Sequence, residues 1–155
     1  MADNDRDIRI GEVMWEYIIK GLLGLLLIIV SIQDIKWKKI RLWIVLIATI
    51  ILSVCALFSS SLSILDRVFG LLLGLAMVLL SKATGGKIGI GDGMVLGVTG
   101  IGLGFWSNME LFALALSMAA VFSIGLIILR RANRSTAIPF MPFLFLSYII
   151  LNIPV

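Results

Sequence analysis

Gly85-Gly86-Lys87-Ile88-Gly89-Ile90-Gly91-Asp92-Gly93-Met94-Val95-Leu96 is the stretch from which the rest of the chain can be read. A polar, glycine-rich loop runs here into a long apolar segment, and one carboxylate, Asp92, sits at the junction. Ionisable groups at membrane depth are costly, and they usually serve a function in company with a partner. One other acid has a comparable setting. Asp34 closes the first apolar segment, in Ser31-Ile32-Gln33-Asp34-Ile35-Lys36.

The chain around these two acids is 61% hydrophobic and 14% charged, with a mean hydropathy of +1.14. Soluble domains are about half apolar and a quarter charged. The sequence therefore reads as an all-α, polytopic membrane protein whose surroundings are the lipid bilayer. Its net charge of +4 then reports topology and is no sign of a nucleic-acid partner. The chain has no histidine and a single cysteine, Cys55. That excludes His-based triads, His–metal catalysis, an intrachain disulfide and a multi-cysteine zinc site. Acid–base chemistry is left to Asp, Glu, Lys or Tyr, and no metal or other cofactor is expected.

Outward from Asp92, the hydropathy divides the chain into about six apolar segments. Residues 1–16 form a polar, acidic N-terminal tail, unlike a secretory signal peptide with its basic start and small-residue cleavage site. Residues 17–155 form the membrane domain. Its segments are 17–33, 42–65, a third around 68–80 that borrows residues on both sides to reach the roughly 20 a span needs, 88–106, 111–129 and 138–155. Asp66-Arg67 and residues 107–110 are expected as turns, and no soluble domain is expected beside the helices. Gly89, Gly93 and Gly97 fall four apart, as do Gly100 and Gly104, and Gly70 and Gly74. Such spacing lets membrane helices approach closely. Gly91, just before the acid, is expected to allow unusual backbone angles or close approach of a substrate strand.

Charge orients this layout. Loops 36–41, 81–87 and 130–134 carry nine of the 13 Lys and Arg residues, and only Arg6, Arg9, Lys20 and Arg67 lie on the other side. Positive residues favour the cytoplasm, so both termini are expected outside. Seven of the nine acids lie on the outer side, which leaves Asp34 and Asp92 as the inner pair. With six helices, the end of the first and the start of the fourth reach the same membrane face, so the two can meet.

Two carboxylates and a water suffice to hydrolyse a peptide bond without a metal. One acts as base toward the water while the other, protonated, polarises the carbonyl, and the pair titrates as one unit. The alternative at this point is that Asp34 and Asp92 merely pair with Lys36 and Lys87 at the interface.

Gly89-Ile90-Gly91-Asp92 matches the GxGD signature of intramembrane aspartyl proteases, and the whole chain resembles the peptidase domain of type IV prepilin peptidases. That family has one aspartate just after its first peptidase helix, an isoleucine six residues later and a second aspartate in GxGD; here these are Asp34, Ile40 and Asp92. Ala137-Ile138-Pro139-Phe140-Met141-Pro142-Phe143-Leu144 resembles the family's proline–phenylalanine segment opening the last helix. Two positions depart from the pattern. Met94 stands where the family commonly has lysine, and Arg41-Leu42 where it often has Pro-Asn.

The resemblance implies Asp34 and Asp92 as catalytic residues, with Gly89, Gly91, Gly93, Pro139 and Phe140 supporting the site. It implies a prepilin-like protein substrate, with a short basic leader ahead of a hydrophobic helix, cut at the cytoplasmic face of a bacterial or archaeal cell membrane. It further implies a peptidase-only form, with no methyltransferase domain and no S-adenosylmethionine site. Oligomeric state is open. Two other readings stand beside it: a non-catalytic factor of the same fold that binds pilin-like helices, and a small proton-coupled transporter using the two acids as relay sites. Acids at the membrane edge rather than mid-helix count against the transporter.

Overall fold

A computed structural model describes residues 2–59, 61–85, 89–129 and 138–153, and for 2–9 the backbone alone. Lys87, Ala137 and the basic loop of Arg130, Arg131 and Arg134 lie outside the described residues. The described chain is helical, with no strand: α1 (Ala2–Trp37), α2 (Leu42–Phe58), α3 (Ile64–Ala83), α4 (Ile90–Ile128) and α5 (Met141–Asn152).

α1 begins within the polar N-terminal stretch and continues as one helix into the apolar segment. Glu16 and Lys20 bridge that junction as an i,i+4 pair at 2.7 Å, with the acid N-terminal to the base, the favourable order. Further on, Ile19, Leu23, Leu26, Leu27 and Val30 recur every three to four residues and are all buried. This is the core stripe of α1, and it packs against α5 and α2.

α4 is a hairpin. Its 39 residues are interrupted at Gly104, whose φ of 79° is left-handed. The Asn108 side chain donates to the Leu96 carbonyl at 2.9 Å although twelve residues separate them. Along a straight helix that separation is about 18 Å, so the arms 90–103 and 105–128 fold back on each other. The reversal falls just ahead of the expected turn at 107–110, and those four residues are helical. Glycine decides the place, because it enters the left-handed region without a Cβ penalty.

Asp66-Arg67 is likewise no turn but the first turn of α3, with Ser63 accepting from the Asp66 amide at 3.3 Å as N-cap. The reason lies across the seam. The last carbonyls of one helix and the first amides of the next lack intrahelical partners. Arg67 donates to the Ile101 carbonyl at 2.8 Å and to the Ser59 carbonyl at 3.2 Å, while Asp66 accepts from the Phe105 amide at 3.1 Å. One acid–base dipeptide thus serves both helix ends that meet at Gly104.

Gly70, Gly74, Gly93, Gly97 and Gly100 pack helix to helix as the spacing predicts, whereas Gly89 faces Asp92 of its own segment and Gly104 is the point of reversal. A Cβ on Gly70 would meet the Gly100 backbone, and one on Gly74 would meet Gly97 and Gly93, so α3 and the first arm of α4 touch backbone to backbone. Much of the remaining surface is apolar, with Trp43, Leu57 and Ile64 about four-fifths exposed (79%, 85% and 80%), as lipid-facing side chains are.

Ile10–Trp37, Ile64–Ala83 and Ile90–Ile128 are long and apolar enough to cross a membrane. α2 and α5 are apolar but have 17 and 12 residues, about 26 and 18 Å of helix against a hydrocarbon core of roughly 30 Å. Among the described residues the protein is therefore a helical membrane protein, in which α1, α3 and the hairpin α4 are long and apolar enough to span and shorter apolar helices pack among them.

Candidate active site

Asp34 continues the core stripe of α1. It lies four residues beyond Val30 on the same face, so the helix that buries Leu23, Leu27 and Val30 also turns this carboxylate inward, where it is 9% exposed. α1 ends immediately afterwards: the Lys38 amide bonds the Asp34 carbonyl at 2.9 Å, and Lys38 itself takes a φ of 49°. The side chain meets α5. Asp34 Oδ2 accepts from the Met141 amide at 3.0 Å, and Met141 is the first residue of α5, whose amide has no intrahelical acceptor. Asp34 thereby caps a helix that begins far away in sequence.

Asp92 stands in the first turn of α4, after Gly89 as N-cap, with its amide bonded to the Gly89 carbonyl at 3.1 Å. Val95, Leu96 and Thr99, three, four and seven residues on, are buried, so Asp92 opens the core face of that arm and is itself half-buried. Its carboxyl and that of Asp34 are close enough for their charges to interact. The two acids set apart by sequence lie on adjoining segments, since Ile40, six residues past Asp34, fills the space at Gly91.

Each motif glycine has its own reason. A Cβ at Gly89 would come within 2.8 Å of Asp92 Oδ2; one at Gly91 would come within 2.9 Å of Ile40 Cδ1; one at Gly93 would come within 2.8 Å of the Val78 amide on α3. Gly91 is helical, with no left-handed angle, so the expected backbone freedom is unused and the space is filled by Ile40. That contact ties the loop after α1 to the segment carrying Asp92. Gln33, also buried, steadies the loop by accepting from the Arg41 amide at 3.1 Å.

Pro139 and Phe140 lead into α5 half-buried, and the Phe140 ring lies edge-on to Phe112 of the second arm, centroids 6.2 Å apart. Ser31 adds a second bond to this segment by donating to the Met141 carbonyl at 3.0 Å. Ser31, Gln33 and the Met141 backbone were not singled out from the sequence. The available signal was the spacing of Ser31 and Asp34, three apart on one helical face.

Lys36 does not pair with Asp34. Its ammonium lies 5.0 Å from the centroid of the Trp37 ring, with the Arg41 guanidinium at 5.7 Å from the same ring. Lys87, the partner expected for Asp92 in the ion-pairing alternative, lies outside the described residues. Met94, two residues past Asp92, is 40% exposed; helical positions two apart do not share a face. Among the described residues no group of acids or cysteine has the arrangement of a metal site.

A model of the type IV leader peptidase family matches residues 21–124. The chain belongs to the type IV leader peptidase family. The matched residues include Asp34, Ile40 and Gly89–Asp92 and stop short of Pro139. As a member of that family the protein is a membrane peptidase, and membership bears out the resemblance drawn from the three motifs. No curated protein and no solved structure matches the chain.

Proposed function

We propose that this type IV leader peptidase family member is an aspartyl endopeptidase that removes the short basic leader from prepilin-like precursors at the cytoplasmic membrane face. Asp34 and Asp92 are its catalytic pair. The membrane domain crosses the bilayer six times, counting both arms of α4, with both termini outside. The observation that carries the reading is that the segments bearing two acids remote in sequence pack together: Ile40, six residues past Asp34, fills the space at Gly91, the residue before Asp92.

The mechanism requires the pair to share one proton, as two carboxylates acting on one peptide bond do. The ionised carboxylate takes a proton from water as the water oxygen bonds to the scissile carbonyl carbon. The protonated partner gives its proton to the carbonyl oxygen. When the tetrahedral adduct collapses, the C–N bond breaks, the first carboxyl protonates the leaving amine, and the second recovers a proton from an adduct hydroxyl. The dyad returns to its starting state with no metal or cofactor in any step.

The test is co-expression with a prepilin-like precursor, following leader loss by gel shift and by the mature N-terminus. Asp34→Asn and Asp92→Asn keep the size of the side chains and remove proton exchange. Each single variant is expected to abolish cleavage, and the double variant to be no worse, since members of one catalytic unit are not additive. Cleavage by both single variants overturns aspartyl catalysis. A folded wild-type protein that binds the precursor without cutting it identifies the binding-factor reading.

A further inference from the structure

Ser31 is a buried polar group one helical turn before Asp34 that the chemistry above does not use. It is 5% exposed, and Met141, which it touches, has no exposed surface. Ser31 Oγ donates to the Met141 carbonyl at 3.0 Å while Asp34 Oδ2 accepts from the Met141 amide at 3.0 Å. That amide and that carbonyl belong to the two peptide planes flanking one Cα. Two residues of one α1 face therefore grip a single α5 residue from both sides. Pro142 follows directly and has no amide of its own, so Met141 is where the grip must act.

We propose that Ser31 is a positioning residue of the peptidase site: by holding the Met141 carbonyl it keeps the Met141 amide on Asp34 Oδ2, which commits that oxygen to α5 and aims Oδ1 at the reaction. The inference rests on the proposed aspartyl mechanism. A carboxylate on an otherwise free rotor samples many directions, whereas one oxygen held by a fixed amide leaves the other with a set direction. Orientation of this kind governs the catalytic step more than substrate capture.

The experiment uses the full chain in lipid nanodiscs with a prepilin-like precursor, comparing wild type, Ser31→Ala and Ser31→Thr. Ser31→Ala is expected to lower kcat by about ten- to a hundred-fold, the scale of a small misplacement at a reacting group, with KM little changed. Ser31→Thr keeps a hydroxyl and is expected to restore most of the rate. The same three proteins and Asp34→Asn, labelled with 15N-methionine, report the grip directly, since the Met141 amide resonance can be assigned by its loss in Met141→Leu. It is expected to move in Ser31→Ala and in Asp34→Asn, and to stay near its wild-type position in Ser31→Thr. Wild-type kcat together with an unmoved resonance in Ser31→Ala overturns the proposal, as does a loss confined to KM. A wild-type protein that cleaves nothing overturns the aspartyl reading instead, and the resonance alone then judges the grip. If Ser31→Ala does not fold, Ser31→Thr decides: a displaced resonance or a kcat far below wild type in that variant overturns the proposal.

Discussion

Asp34 carries two tasks that substitution can separate. Its carboxylate is half of the proposed dyad and also the acceptor that caps α5 through the Met141 amide. Asn retains an acceptor oxygen and Ala does not, so Asp34→Asn and Asp34→Ala should be equally inactive but unequally stable. The expected gap is about 1 kcal/mol, the ordinary worth of a helix cap, read as a lower unfolding midpoint for Ala in detergent. Gly91 offers a second test at this scale. Gly91→Ala drives a methyl into Ile40, and overpacking of this kind costs about 1–3 kcal/mol. Ile40→Ala in the same chain should recover much of that loss, and the coupling in a double-mutant cycle measures it. Met94→Lys should change cleavage less than about three-fold. Its side chain leaves the helix on a different face from Asp92, so a side chain at position 94 of this protein addresses different neighbours from Asp92.

Between elements, the glycine seam and the hairpin at Gly104 hold the first arm of α4 where Asp92 can be used. Gly74→Ala puts a Cβ against the Gly97 backbone, which cannot rotate aside as a side chain does. It should lower the thermal midpoint and the cleavage rate together. Gly21→Ala and Gly125→Ala meet nothing within 4 Å and should be neutral or stabilising by up to about 1 kcal/mol, the helix-propensity difference. At the other end of the arm, Arg67→Met leaves the Ile101 and Ser59 carbonyls without their donor. A buried acceptor stripped of its partner costs about 1–3 kcal/mol, so this variant should unfold earlier while its residual folded fraction still cleaves. An inactive but fully stable Arg67→Met would mean that the outer end influences the dyad directly.

Across the whole molecule, the charges and the site agree on one face. The basic loop 36–41 follows Asp34 directly, and Lys82 ends α3 shortly before Gly89 and Asp92. With Cys55 replaced, single cysteines at Lys38, Lys87 and Arg131 should react with reagents only from the cytoplasmic side. Labelling of these three from outside would invert the protein and put the dyad on the wrong face for a precursor presented from the cytoplasm. Helix length adds a further expectation. The short α2 and α5, at about 26 and 18 Å, should be accommodated by local thinning or tilt of their neighbours, so activity should be higher in thin-bilayer nanodiscs than in thick ones.

Composition and pattern alone determined that this chain is helical and lives in a membrane, because no water-exposed surface tolerates so much Leu and Ile. They also picked out Asp34 and Asp92, because an acid at the edge of an apolar segment has few neighbours to excuse it, and the glycine pairs, because a four-residue spacing lies along one helical face. What sequence distance conceals was left to the tertiary structure. That Ile40 fills the space at Gly91, that Asp34 caps α5, and that Asp66-Arg67 serve the two helix ends at Gly104 are contacts between segments 34 to 107 positions apart. Local propensity sees Asp66-Arg67 as a polar turn and residues 107–110 as another. Only the packed neighbour supplies the unpaired amides and carbonyls that make a helical Asp66-Arg67 the lower-energy arrangement, and only the close approach of the two arms makes glycine at position 104 the point of reversal.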